Sequence, residues 1–398
     1  MTGSPADVCY LETSRHYWID RPAGSRRPGG YAALGERGCI RTALGTTHRF
    51  TGPPPGRWPA PPAPPPAEQG IEQLEQALSG LHASWRGRIS LRYSQLRSER
   101  LTVSSLAHAS PRSHTVWSAT GWFRPVDRLP AVPLGWSGRG NGLDWLSGSA
   151  PGELELLARA MSGAAPVTPG YEPAVLAPPA AAVVVHETVA HQVETPPQGT
   201  ARPSTGQRIA AEQITAFDDP TAESGPAHYD LDDDNVRALG PMAVVTDGRQ
   251  TAWLHSAASA VAHGTLPTGN GRSAGAWDLP LPRTSNLVVQ AGTATEAELI
   301  DRTYRGLYVR RLAHGVNDGA RFEADLVLAE RIDQGRLTGR YVVGGRLSES
   351  LELLLRVTGV ADNPRFHYSG LCGKAGQLLF DVGTAAPSIE LSGLRVLV

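Results

Sequence analysis

Two proline pairs, Pro178-Pro179 and Pro196-Pro197, bracket the most apolar segment of the chain. Proline suits the first turn of a helix, where its missing N–H would have no partner anyway, and it cannot continue one. The spacing therefore predicts a single helix from Pro178 to Glu194. The run Ala174 to Val185 is apolar but interrupted by proline and followed at once by His186 and Glu187, so it is too short to span a bilayer.

Inside that helix lies Val183-Val-Val-His-Glu-Thr-Val-Ala-His-Gln-Val-Glu194. Two imidazoles on an apolar helix need a reason. Neutral histidine nitrogen is a good ligand for Zn²⁺, and a carboxylate beside a metal-activated water can take its proton. The spacing, however, is i, i+5. Ligands at i and i+4 sit about 40° apart around an α-helix, whereas i and i+5 sit about 140° apart. His186 and His191 can face one ion only if a π-turn inserts a residue between them. The motif thus implies a bulged helix or no shared metal.

A third ligand is available in Gly370-Leu-Cys-Gly-Lys-Ala-Gly-Gln377. Cys372 alone reads as a small buried hydrophobe. Joined to two histidines it completes a His₂Cys set with one open position, a recognised catalytic zinc pattern, and Lys374 is placed to favour the thiolate.

The rest of the chain sets the frame. Its 398 residues suit two to three domains at about 150 residues each. A hydrophobic share of 40% supports packed cores, and a net charge of −1 offers no basic field for nucleic acid. Three scattered cysteines do not make a disulfide framework. The first twenty residues lack the layout of a signal peptide. A cytoplasmic protein with reduced thiols is expected, with neither nucleic acid nor membrane among its partners.

Strands are expected at Val8–Thr13, Tyr17–Asp20, Cys39–Ala43 and Ile89–Tyr93, with helices at Glu68–Trp85 and Glu153–Met161. Residues 52–67 read as a stiff polyproline-like spacer. Residues 125–150 give no clear pattern. After the strand Gly170–Ala177 and the bracketed helix, residues 228–398 read as short strands with Gly-bearing turns. One helix, Thr295–Arg305, interrupts them, with Thr295 and Glu298 in capping-box spacing. The expected architecture is α+β: a mixed α/β domain over residues 1–160, and a β-rich domain over 161–398 that carries the metal helix. The acidic run Asp230–Asp234 lacks the alternating oxygen ligands of a Ca²⁺ loop and reads as a turn.

In these blocks the chain resembles the TldD/PmbA family of metallopeptidases. The helix is similar to that family's HExxxH signature with an acidic residue three places on, here Glu194. Asp230–Val236, Val244–Ser256, Thr268–Gly271, Arg283–Leu287 with Gly292, Leu307–Asn317 and the Cys-Gly-Lys-x-Gly-Gln block follow in the family's order. The match holds from about residue 165 onward. The N-terminal 150 residues match only loosely, at Ala6-Asp-Val and Arg37–Arg41. Departures are Asn235 for the usual glycine, Asp234 for the usual glutamate, and a shorter chain.

The resemblance implies the metal-binding branch of the family. Zn²⁺ would be held by His186, His191 and Cys372, and Glu187 would be the base. The chain would form a homodimer, or a heterodimer with a family homologue, enclosing the site in a chamber. The implied activity is hydrolysis of peptide or amide bonds in small or unfolded peptides. Two alternatives stand beside it: an amidase that tailors an aminoacyl or cysteine-conjugate metabolite in a biosynthetic pathway, and a non-catalytic partner subunit of an active homologue. His228, His314 and Tyr368 are candidate oxyanion or substrate contacts. Glu194 is a candidate orienter of His191 or a substrate contact, and equally a solvated carboxylate at the helix end.

Overall fold

The computed structural model describes residues 7–21, 29–41, 47–51, 87–103, 109–125 and 131–140, six positions between 152 and 161, and 163–398 apart from 198–203, 275–277 and 368–371. The expected helix at Glu68–Trp85 and the proline-rich segment 52–67 lie outside the described residues.

The first half contributes a six-stranded antiparallel sheet built from Asp7–Arg21, Gly29–Arg41, Thr47–Thr51, Gly87–Val103, Ala109–Pro125 and Val132–Arg139. Asp7–Arg21 lies inside the sheet, paired on one side with Gly29–Arg41 and on the other with Gly87–Val103. This corrects the expectation of two short strands there. Ser14, Arg15 and His16 break the apolar pattern, yet they stay in register opposite Gly35, Leu34 and Ala33. Ladder hydrogen bonds on both edges carry a strand through polar positions that would end an unsupported one. The unpatterned stretch 125–150 contains the edge strand Val132–Arg139. Between 152 and 161, all six described positions are helical, in line with the short helix expected there.

The second half is β-rich. Strand Arg305–Asn317 pairs with Gly170–Leu176, that with Ile389–Leu397, that with Gly345–Ser350, that with Arg321–Asp333, and the last returns to Arg305–Asn317. The hydrogen-bonded circuit therefore closes on itself, while Arg336–Val343 branches from Arg321–Asp333 and carries the short edge strand Ala165–Pro166. A second, six-stranded sheet runs in the order Arg249–Gln250, Met242–Thr246, Ala216–Asp218, Asn286–Val289, Gly383–Ala386, Arg365–His367.

The bracketed helix, α1 (Pro178–Val185), passes between these two layers, touching Arg305–Asn317 on one side and Gly383–Ala386 and Arg365–His367 on the other. Every residue of α1 except Pro179 is buried, and its alanines and valines belong to the main apolar core. Small side chains let both sheets approach the helix closely, so its C-terminal end is held rigidly where the histidines begin.

Two short helices lie outside that core: α2 (Ala257–His263) and α3 (Glu296–Thr303). Thr295 and Glu298 form the expected capping box, with Thr295 N donating to Glu298 Oε2 at 2.7 Å. Such a cap stabilises by about 1 kcal/mol. The helix stops at Thr303, because Tyr304 takes a φ of 55° and Arg305 enters a strand. Among the described residues no helix is long and apolar enough to cross a membrane.

The acidic run folds as a turn. Asp232 accepts from the backbone N–H groups of Asp234, Val236 and Gly271, Asp233 from Ser273, and Asp234 from Ala257. The carboxylates of Asp232, Asp233 and Asp234 are thus engaged in tying loops together. Asn235 has a φ of 61°, the left-handed region that glycine favours and asparagine tolerates.

Candidate metal centre

Immediately after α1 the helix widens into a π-turn, His186–Ala190, and closes with one ordinary turn, His191–Val193. The His191 N–H bonds back to the His186 carbonyl, five residues away instead of four. The inserted residue removes the ~140° divergence that i, i+5 spacing has on an α-helix. The two rings now stand edge to face with centroids 4.9 Å apart.

Cys372 opens the small hairpin Cys372–Lys374/Gln377–Leu379, and its sulfur meets both rings. His186 Nε2 lies 3.2 Å from Sγ and His191 Nε2 3.8 Å from it. All three donor atoms fall within 4.8 Å of one another, and among the described residues this is the one convergent group of metal-ligating side chains. A tetrahedral zinc with ordinary bond lengths separates nitrogen and sulfur ligands by about 3.6 Å. The observed pair of distances brackets that value, so the residues present fit the ion.

The outer partners of each ligand agree with this use. His191 Nδ1 is 3.2 Å from Glu194 Oε2, and His186 Nδ1 is 3.4 Å from Thr384 Oγ1. With the Nδ1 sides occupied, both Nε2 atoms are left facing the sulfur, the arrangement metal-binding histidines generally show. Burial by itself would push the Cys372 thiol up and the imidazoles down. The two histidines and Arg283 reverse this for Cys372, which is held well below the usual thiol range; Cys372, joined by Glu187 for His186 and by Glu194 for His191, raises both imidazoles. The pocket is set for positive charge at this point, whether carried by protons or by a metal.

Glu187 stands beside the centre, its Oε2 3.9 Å from His191 Nε2, and it is almost fully buried. Burial pushes its carboxyl up, against the pull of His186 and His191. Gly315 packs directly on it: a Cβ there would lie 2.6 Å from Glu187 Oε1. A cavity of about 540 Å³ opens in front of these groups, lined by His186, Glu187, His191, Glu194 and Cys372 together with the loops 315–319 and 373–375.

Glu194 is buried and fully engaged. Besides His191 it accepts from Thr284 N at 2.9 Å and from Lys374 Nζ at 2.7 Å. Burial would raise its carboxyl, but Lys374, His191 and Arg283 hold it well below the usual range. Lys374 therefore serves Glu194, and the cation beside the thiolate is Arg283. That guanidinium is completely buried, donates from Nη2 to the Cys372 carbonyl at 2.6 Å, and lies 3.8 Å from Glu194.

His314 and His228 stand elsewhere. His314 turns its Nδ1 to Asp325 at 2.9 Å and does not line the cavity, although its neighbour Gly315 does. His228 is likewise outside the lining. Tyr368 lies outside the described residues. Arg283, Gly315, Asn317 and Thr384 escaped attention as site residues. Arg283, Gly315 and Asn317 sit in blocks noted only for their order, and no local spacing pairs any of the four with the helix.

Residues 169–397 match the family model for the PmbA/TldA metallopeptidase C-terminal domain. A metalloprotease of Methanocaldococcus jannaschii is 30% identical over 221 residues, covering 54% of this chain and 48% of that relative. A metalloprotease of Methanothermobacter thermautotrophicus is 31% identical over 239 residues, covering 58% and 52%. The chain spans about half the length of the curated relatives it matches. The crystal structure of TldE from Thermococcus kodakarensis superposes with a TM-score of 0.69 at 15% identity, covering 98% of this chain and 97% of that one, which shows a shared fold.

Proposed function

The chain belongs to the PmbA/TldD family of metallopeptidases, and on that premise we propose that it hydrolyses peptide or amide bonds at a zinc centre formed by His186, His191 and Cys372. The observation that carries the reading is the convergence of two imidazoles and a thiol, 181 and 186 residues apart in sequence, within 4.8 Å.

Bound zinc would supply Lewis acidity, acidifying water and polarising a carbonyl. The chain's own residues do the rest. His186 and His191 present Nε2 and Cys372 presents Sγ, each held by a partner behind it. Glu187, with its carboxyl raised by burial, accepts the attacking water's proton and returns it to the leaving amine. Gly315 leaves room for that carboxylate. The loops 315–319 and 373–375 bound the space a substrate would enter. The substrate class is a short peptide or small amide, and a second copy of the chain or a family homologue would close the chamber.

The test is metal content and amide hydrolysis of the wild type beside Glu187→Gln. Zinc should be retained while turnover falls about 10²–10⁴-fold, the range typical of a lost general base. Undiminished turnover in the variant, or a metal-free wild type, would overturn the assignment. Assaying a peptide panel against N-acyl amino acids separates a peptidase from a tailoring amidase.

A further inference from the structure

A π-turn shifts the helical ladder by one residue, and a carbonyl inside it loses its ordinary backbone partner. Here two carbonyls in the widened turn accept from side chains. Thr188 O takes the Nε2 of Gln192, from the same helix. Glu187 O takes the Nδ2 of Asn317, which ends strand Arg305–Asn317 and lies 130 residues away. The amide of Asn317 is oriented from its other end, because Oδ1 accepts from Gly319 N at 2.6 Å. The nitrogen is thereby turned to the Glu187 carbonyl.

We propose that Asn317 is a positioning residue of the metal centre, holding the π-turn open so that His186 and His191 face the same point. This rests on the metal-centre reading given above. The reasoning is steric and electrostatic together. Residues 187–190 are buried, so a carbonyl left bare there would be costly. Without the Asn317 donor, the backbone gains by returning toward a regular helix, and one imidazole then rotates away from Cys372. The bond also ties the cavity-lining loop 315–319 to Glu187, so the wall of the cavity and the ligand geometry are set by one contact.

Asn317→Asp is the informative variant. It keeps the acceptor for Gly319 N and puts a carboxylate oxygen, which cannot donate and repels a carbonyl, where the donor to Glu187 O was. Titration of the metal-free full chain with Co²⁺ should show affinity weakened about 10–100-fold, with an altered d–d absorption band and an unchanged far-UV circular dichroism spectrum. Asn317→Ala, which loses both bonds, should lose at least as much. Wild-type cobalt affinity and spectrum in Asn317→Asp would overturn the proposal. So would loss of the whole fold in both variants, which would make Asn317 a general structural residue. Because the readout is metal binding, a wild type that binds cobalt but cleaves no amide would sink the hydrolase reading and leave this one standing.

Discussion

Lys374 donates its ammonium to Glu194 at 2.7 Å, although Lys374 is only two residues from Cys372. The cation next to the thiolate is instead Arg283, whose side chain is wholly buried and bonded to the Cys372 carbonyl. The buried carboxylate of Glu194 thus sits among two cations, Lys374 and Arg283, and the imidazole of His191. A buried charge is tolerable only when it is paired in this way.

That relationship predicts the behaviour of Glu194→Gln. The amide would lose the charge that pairs with Lys374 and orients His191, while keeping nearly the same shape. Metal affinity should fall about 10–100-fold, as it does when the outer partner of a ligating histidine is removed. Competition with a chromophoric chelator measures it. An affinity equal to wild type would show that Glu194 does not support His191.

Gly315→Ala addresses the space around Glu187. The new methyl would lie 2.6 Å from Oε1, closer than atoms can approach, and the carboxylate is the part free to move. A displacement of about 1 Å in a catalytic group can cost about 10²-fold in rate. Hydrolysis should therefore drop about 10–100-fold with zinc content and thermal midpoint unchanged. Full activity would mean that the position of Glu187 does not govern the reaction.

Asp232, which does not line the cavity at the metal centre, carries a pH prediction. Burial pushes its carboxyl up to about 7, with Asp234 and Asp233 acting in the same direction. An unfolded aspartate titrates near 3.9, so between about pH 4 and 7 the folded chain holds more protons. The resulting stability is present below that window and is lost as pH rises through it. Asp232→Asn lacks this loss. In urea denaturation, the difference between variant and wild type should shift in the variant's favour between about pH 5 and pH 8. A difference independent of pH would contradict a raised carboxyl.

Some of this was readable in advance. The proline pairs bracketed the metal helix correctly, and the structure ends it at Val193, one residue short of the expected boundary. The i, i+5 spacing demanded a π-turn if the histidines were to share an ion, and the π-turn is there. The Thr295 capping box was visible because its partners are three residues apart. By contrast, Asp7–Arg21 read as two pieces, because local polarity at Ser14–His16 hides a ladder supplied by distant strands. His314 was a reasonable oxyanion candidate by type, yet Asp325 on the neighbouring strand takes its Nδ1.

Short-range spacing, then, determined the helix, the bulge it needs if its two histidines are to share an ion, and the chemical type of those two ligands, since backbone geometry acts over a few residues. Tertiary structure decided whether those ligands meet and what holds them. Cys372, Arg283, Asn317 and Thr384 reach the helix from strands and loops roughly 90 to 200 residues away in sequence. Their placement depends on two sheets closing over an all-apolar helix, a packing outcome that no local pattern encodes.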